Sequence, residues 1–439
     1  MKKITQEFLE DVEKEYLNNP AHTIARRALN KNKISSLVRV SEQNEFTRNR
    51  FNIEVKTLPA SNQKASGRCW IFAGCNILRE IVANRFNLDN FEISQNFVAF
   101  YDKLEKCNYL MESIIELVRK DKDDRTLCFL LSNGIEDGGQ WDLFVNIVSK
   151  YGVCPKDAFP ETFQSSNTRE IDGILNRYVR KFAFEARKIK NKKEISELEE
   201  NYMRDIYKIL CSCFGVPPKK FSFEYINKNK EYYKWNNITP LEFLHDYIKI
   251  DLGNYISIIN SPTDDKPFYN PYTVKYLGNV IEGKKVLYLN EEMPRLKELV
   301  IEQLKNGEPV WFGSDCSKSG DKEDGIWDDL SFDVDTLFQI DSDMSKEAML
   351  DMRNSAMNHA MVLTGVNIED GKPTKWKIQN SWGEDHAFKG YYVATDTWFD
   401  RYVYQAVINK MFLSDLENND IKKKVIELKP WDPMGTLAK

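Results

Sequence analysis

The chain has 439 residues, 42% hydrophobic and 29% charged, with a formal net charge of -5. A length beyond one ordinary core predicts two or three packed substructures, and this composition excludes global disorder. The slight negative balance gives no general electrostatic reason to hold nucleic acid or anionic lipid, so neither is expected as a partner.

The first residues carry Lys2 and Lys3 but no apolar run before Glu7 and Glu10, which does not read as a secretory signal. No stretch is long and apolar enough to span a membrane, and a reducing cytoplasm is the expected compartment. The eight cysteines include no Cys-x-x-Cys pair with metal spacing, so no metal or cofactor is expected.

In chain order, Ile4, Phe8, Leu9, Val12, Tyr16 and Leu17 fall on one helical stripe, predicting a docking helix over 4–17. A polar surface arm follows over 31–62, so that 1–60 forms an N-terminal helix and arm. Ile71, Phe72, Cys75, Leu78, Ile81 and Val82 predict a helix from Cys69 to about Phe86, with Cys69 at its N-terminus. A second helix is expected over 94–119, and the turn Glu136-Asp-Gly-Gly-Gln-Trp141 feeds a third through Val145 and Val148. These elements make 61–168 a helical half. Residues 169–254 are charge-rich, with signs alternating from Lys188 to Arg204, and read as an inserted helical subdomain with a solvated face.

Beyond residue 255 the pattern changes to short strands such as Val286-Leu-Tyr-Leu and Pro309-Val-Trp-Phe-Gly, a β half extending to 425. There His359 opens an apolar run, Glu369-Asp-Gly-Lys marks a turn, and Trp376-Lys-Ile-Gln returns to Asn380. A hairpin of this kind brings His359 and Asn380 to one end of two adjacent strands. Residues 426–439 form a C-terminal arm. The expected fold class is α+β.

These positions supply the groups that thiol catalysis needs. A cysteine attacks a carbonyl as thiolate, so it needs a base for its proton and a donor for the developing oxyanion. Cys69 is the candidate nucleophile, and a helix N-terminus predicts a pKa well below that of a free thiol. His359 is the candidate base among four histidines; His386, just beyond Asn380, is its competitor, while His22 and His245 lie in the arm and the insertion. Asn380 would hydrogen-bond the second ring nitrogen of His359 and fix its tautomer, with Trp382 covering that bond. The Gln63 amide and the Cys69 backbone N–H would bind the oxyanion.

Gln63, Gly67-Arg68-Cys69-Trp70 and Gln379-Asn380-Ser381-Trp382-Gly383 resemble the papain-like cysteine peptidases, with Arg68 in place of the small residue usual in cathepsins. The stretch from Ser94 to Cys107, Asp137-Gly-Gly-Gln-Trp141, Met357-Asn-His-Ala-Met361 and the last residues, Lys429 to Lys439, resemble the bleomycin hydrolase and bacterial aminopeptidase C branch. The gap from Cys69 to His359 is also far wider than the roughly 130 to 150 residues of papain and cathepsins.

That resemblance implies a two-part papain-like catalytic fold and an aminopeptidase acting on peptides with a free N-terminus. It implies that the C-terminal arm lies in the active-site cleft and that Gly138 and Gly139 offer backbone groups to substrate. Trp382, Ala438 and Lys439 join them as expected substrate-binding residues. Lys439 places the terminal carboxylate one residue beyond Ala438, so removal of Lys439 by the enzyme itself is expected. The branch forms hexameric rings, and some members are reported to bind nucleic acid. An endopeptidase with an open cleft and a ring-shaped nucleic-acid-binding protein are the alternatives.

Overall fold

The computed structural model describes residues 1–40, 47–322 and 324–438. Two helices come first, α1 (Gln6–Asn18) and α2 (Pro20–Leu29). Thr5 caps α1 by accepting the Phe8 N–H, and Asn19 caps α2 by accepting the Ala21 N–H ahead of Pro20. The stripe expected to dock α1 stays exposed in this chain at Phe8, Leu9, Val12 and Leu17. Its neighbour α2 is short and meets it through a Tyr16–His22 ring stack at 5.1 Å, too little surface to cover the stripe.

The arm then runs through β1 (Ile53–Glu54) toward the helical half, α3 (Cys69–Phe86), α4 (Gln95–Glu116), α5 (Arg125–Asn133) and α6 (Trp141–Tyr151). Helix α3 is apolar almost all round and is buried along most of its length, which makes it the central helix. Its two buried charges tie down the arm. Arg79 donates to the Leu58 and Pro59 carbonyls at 3.0 and 2.7 Å, and Glu80 accepts the Leu58 N–H at 3.0 Å. The arm is thereby fixed five residues before Gln63.

The charge-rich segment folds as α7 (Arg169–Ala186) and α8 (Lys192–Phe214), followed by a hairpin of β2 (Phe221–Ile226) and β3 (Tyr232–Ile238). The hairpin departs from the expected all-helical insertion. Its residues alternate, with Phe221 and Phe223 buried and Ser222 and Glu224 exposed, a period of two that the surrounding charges mask. Ile171, Val179, Tyr202, Ile206 and Phe223 share one buried cluster with α3, α4 and α6.

The remaining chain builds a mostly antiparallel sheet. Its strands are β4 (Tyr255–Ile259), β5 (Pro271–Val274), β6 (Tyr288–Asn290), β7 (Val310–Ser314), β8 (Gly320–Asp321), β9 (Ile326–Trp327), β10 (His359–Glu369), β11 (Lys372–Gln379), β12 (Tyr391–Thr395), β13 (Val403–Asn409) and β14 (Ile426–Leu428). The order is β14-β5-β6-β4-β13-β7-β10-β11-β12-β9-β8, with β1 paired to β10. Both faces of the sheet centre are buried, so side chains alternate between two cores. Trp311, Ala360 and Val362 face the helical half, while Val310, Phe312, Met361 and Leu363 face a second core that includes Leu296 and Leu299 of α9 (Met293–Lys305). No helix among the described residues is long and apolar enough to cross a membrane.

Candidate active site

The first turn of α3 enters the site without a conventional cap. Arg68 occupies the N-cap position but makes no side-chain cap bond. Its guanidinium is instead buried, donating to both Glu161 carboxylate oxygens at 3.2 and 2.9 Å and to Ser66 Oγ at 2.9 Å. This accounts for an arginine where cathepsins carry a small residue: it clamps the loop before Cys69 to a carboxylate far along the chain. The Arg68 carbonyl accepts the Ile71 and Phe72 N–H groups, each at 3.0 Å, so of the first turn only Cys69 and Trp70 are left to present an N–H to the site.

Cys69 is fully buried, and its Sγ accepts the Ala360 N–H at 3.3 Å. That bond joins the start of α3 to the start of β10, where His359 sits. Burial pushes the thiol up to about 12, outweighing the Ala360 and Trp70 N–H groups that lower it. Burial thus works against the depression expected from a helix N-terminus, while the Ala360 and Trp70 N–H groups work with it.

The hairpin that positions the base is set by its turn. Asp370 and Gly371 join β10 to β11 with φ of 50° and 78°, the left-handed pair of a two-residue hairpin loop. His359 lies opposite Ser314 of β7, and its Nε2 is 2.8 Å from Asn380 Oδ1. The same oxygen accepts the Ser381 N–H at 2.8 Å, which confirms that an acceptor stands at that position. An oxygen there accepts only, so Nε2 carries the proton and Nδ1 is the basic nitrogen. Asn380 Nδ2 is buried without a hydrogen-bond partner among the described residues. Trp382 stacks on the His359 ring at 5.1 Å and shields this bond. His386, the competing base, is exposed on the loop after it.

Gln63 is brought to the same place by the arm. Its backbone N–H donates to the Ser381 carbonyl at 2.8 Å, and its Oε1 accepts the Ser381 hydroxyl at 2.5 Å. Its Nε2 donates to the Ser66 carbonyl at 2.6 Å, leaving one N–H of the amide for a ligand. Gly383, with φ of 84°, lets the two loops approach this closely, since a Cβ there would lie 2.5 Å from Asn62 Nδ2.

Gly138 and Gly139 form the opposite wall. The Lys106 ammonium donates to the Gly138 carbonyl at 2.6 Å. Gly139 packs so tightly on Trp70 that a Cβ would lie 2.4 Å from the indole. Its backbone pairs with the C-terminal arm: the Gly139 N–H donates to the Ala438 carbonyl at 3.0 Å, and the Ala438 N–H donates back at 3.2 Å. Gln140 Nε2 also donates to the Thr436 carbonyl at 2.5 Å. Ala438 is fully buried in the same cluster as Cys69. Lys439, and with it the expected self-removal, lies outside the described residues.

A charged hub behind this wall escaped sequence reasoning. Asp137 accepts from Lys103 at 2.5 Å, from the Gly67 N–H at 2.7 Å and from the Thr168 hydroxyl, while its backbone carbonyl accepts Trp70 Nε1 at 2.7 Å. It thus ties the loop before Cys69 to the Gly138–Gly139 wall. Burial alone would raise both carboxyl groups on Lys103. Lys103, Thr168 and Gly67 hold Asp137 below its ordinary range, and Asp172, the second carboxylate on the same lysine, is raised to about 6. One signal was present: Lys103 falls among the buried positions Phe100, Cys107 and Met111 of α4, where an apolar residue is expected.

Two arms of one cleft, a thiol at a helix start and an imidazole oriented by an amide are now in place. A family model described as the peptidase C1-like family matches residues 3–435. This chain belongs to that family. The α+β, papain-like fold read from its motifs is shown as well. Among relatives of this C1-like chain, "Aminopeptidase C" of Lactobacillus delbrueckii subsp. lactis is 43% identical over 444 residues, spanning 100% of this chain and 99% of the relative. The human protein named bleomycin hydrolase is 40% identical over 392 residues, spanning 87% of this chain and 86% of the relative. The crystal structure of PepW from Lactobacillus rhamnosis HN001 superposes with a TM-score of 0.98 at 42% identity, covering 99% of both chains.

Proposed function

We propose that this chain is a cytoplasmic cysteine aminopeptidase that releases N-terminal residues from peptides through a thioester acyl-enzyme. The observation that carries this reading is the antiparallel pairing of Ala438 with Gly139. The arm lies where the acyl side of an extended peptide would run, and so restricts that side to the residue before the scissile bond. The names and full-length coverage of the relatives support the same activity.

Cys69 Sγ attacks the scissile carbonyl carbon, its proton passing to His359 Nδ1. The oxyanion is met by the free Gln63 N–H and the Cys69 backbone N–H. The C–N bond breaks as His359 returns the proton to the leaving amine. A water, deprotonated by His359, then adds to the thioester carbonyl, and the C–S bond breaks to release the residue and restore the thiol. Asn380 keeps Nδ1 as the working nitrogen throughout.

Eight unpaired cysteines fit a reducing compartment. The uncovered stripe of α1 supports assembly of several copies into a hexamer, which light scattering would test; a mass of one chain would remove that part of the reading. The activity itself is tested by comparing aminoacyl-coumarins with their N-acetyl counterparts. Cleavage of the free amines alone is expected, and equal cleavage of both refutes an aminopeptidase.

A further inference from the structure

The leaving-group side of the cleft carries a cation that the mechanism leaves unused. Lys322 is exposed on the turn between β8 and β9, and its ammonium lies 4.8 Å from the centre of the Trp382 ring. Trp382 in turn stacks on His359, the residue that protonates the leaving amine. On the aminopeptidase reading the arm paired with Gly139 takes the acyl side, which assigns the leaving peptide to the side of Trp382.

The turn is built to aim this lysine. The Gly325 N–H closes on the Asp321 carbonyl at 2.9 Å. Two acids of the turn, Asp321 and Asp324, are drawn to Arg39 at 3.8 and 3.6 Å, and the third, Glu323, lies outside the described residues. Lys322 points from the alternate position toward Trp382, and its charge lowers the nearby Cys316 thiol against the rise that burial causes. Glu384 and Asp385 follow Trp382 on its loop, yet among the described residues no carboxylate pairs with Lys322.

Building on the aminopeptidase reading, we infer that Lys322 binds a carboxylate on the leaving group and so selects short peptides whose C-terminal carboxylate, or an acidic first side chain, falls beside Trp382. A dipeptide presents that carboxylate one residue from the scissile amide, within the sweep of a lysine side chain. Trp382 steers the ammonium by its ring face while leaving it hydrated and exchangeable.

The test is the ratio of kcat/KM for Ala-Gly to that for Ala-Gly-NH2, with Ala-Asp-NH2 against Ala-Asn-NH2 as the side-chain arm; each amide is the internal reference for its enzyme. Wild type is expected to favour the extra carboxylate by up to about fivefold at low salt, the range of an exposed ion pair, and to lose that preference in 0.5 M NaCl. Lys322→Gln should bring the ratio to about 1, and Lys322→Arg should retain it. A preference in only one of the two arms identifies which carboxylate is read. A wild-type ratio near 1 in both arms, or a preference that survives Lys322→Gln, overturns the inference. If wild type cleaves none of the four substrates, the aminopeptidase reading has failed instead.

Discussion

Replacing Asp137 by Asn tests whether the hub behind the glycine wall organises the site. In the native protein the carboxylate serves three donors, Lys103 at 2.5 Å, Gly67 at 2.7 Å and the Thr168 hydroxyl. An amide offers one acceptor oxygen, and its NH2 faces one of those donors. Removing one partner of a buried ion pair costs about 3–5 kcal/mol, and because Asp172 still neutralises Lys103 the loss should fall near 3 kcal/mol. The Gly67 tether lies between Gln63 and Cys69, so its release lets the oxyanion donors drift from the thiol; a misplacement of about 1 Å costs on the order of 100-fold in kcat/KM. Urea denaturation and hydrolysis of an aminoacyl-coumarin measure the two effects separately. A variant within about 0.5 kcal/mol and twofold of wild type would refute the reasoning, since such values are those of an ordinary surface change.

Three further outcomes follow from single contacts. Asn380→Ala removes the acceptor on His359 Nε2 and frees the tautomer, so kcat/KM should fall by about 100-fold or more without loss of substrate affinity; an unchanged rate would mean that another group orients the ring. Arg68→Met strands Glu161 and should lower stability by about 3 kcal/mol in urea titration, with a shift under about 0.5 kcal/mol contradicting the clamp. Glu199 is raised to about 7 by burial and then by Glu112. Its folded pKa lies above its unfolded one, so the fold is favoured below about pH 4.5 and loses that contribution as pH rises toward 7. Glu199→Gln should therefore raise Tm relative to wild type at pH 8 and not at pH 4; an equal gain at both would assign the effect to packing.

The sequence showed the site where chemistry and periodicity coincide. The apolar run from His359, the Asp370-Gly371 turn and the return to Asn380 define a hairpin on local grounds, and the structure places the two side chains 2.8 Å apart. The helix beginning at Cys69 is legible for the same reason. The thiol's pKa was not, because it depends on what covers Cys69, and that comes from distant segments including the C-terminal arm. Arg68 read as a departure from pattern until Glu161 was seen against it. Asp137 looked like a turn residue ahead of two glycines, and only the fold reveals the donors gathered on it. The 221–238 hairpin stayed hidden because the alternation of buried Phe221 and Phe223 with exposed Ser222 and Glu224 is short and lies within a segment dominated by charge.

If the arm at Gly139 makes this cysteine peptidase an exopeptidase, removing the arm should change which peptides it cleaves. The most direct measurement is the ratio of kcat/KM for N-acetylated peptides to that for free-amine peptides, in the full chain and in one lacking residues 436–439. The full chain should spare blocked peptides and the truncated chain should cleave them, because the Ala438 pairing with Gly139 is gone. A truncated chain that still spares blocked peptides while hydrolysing free-amine peptides would contradict that role of the arm.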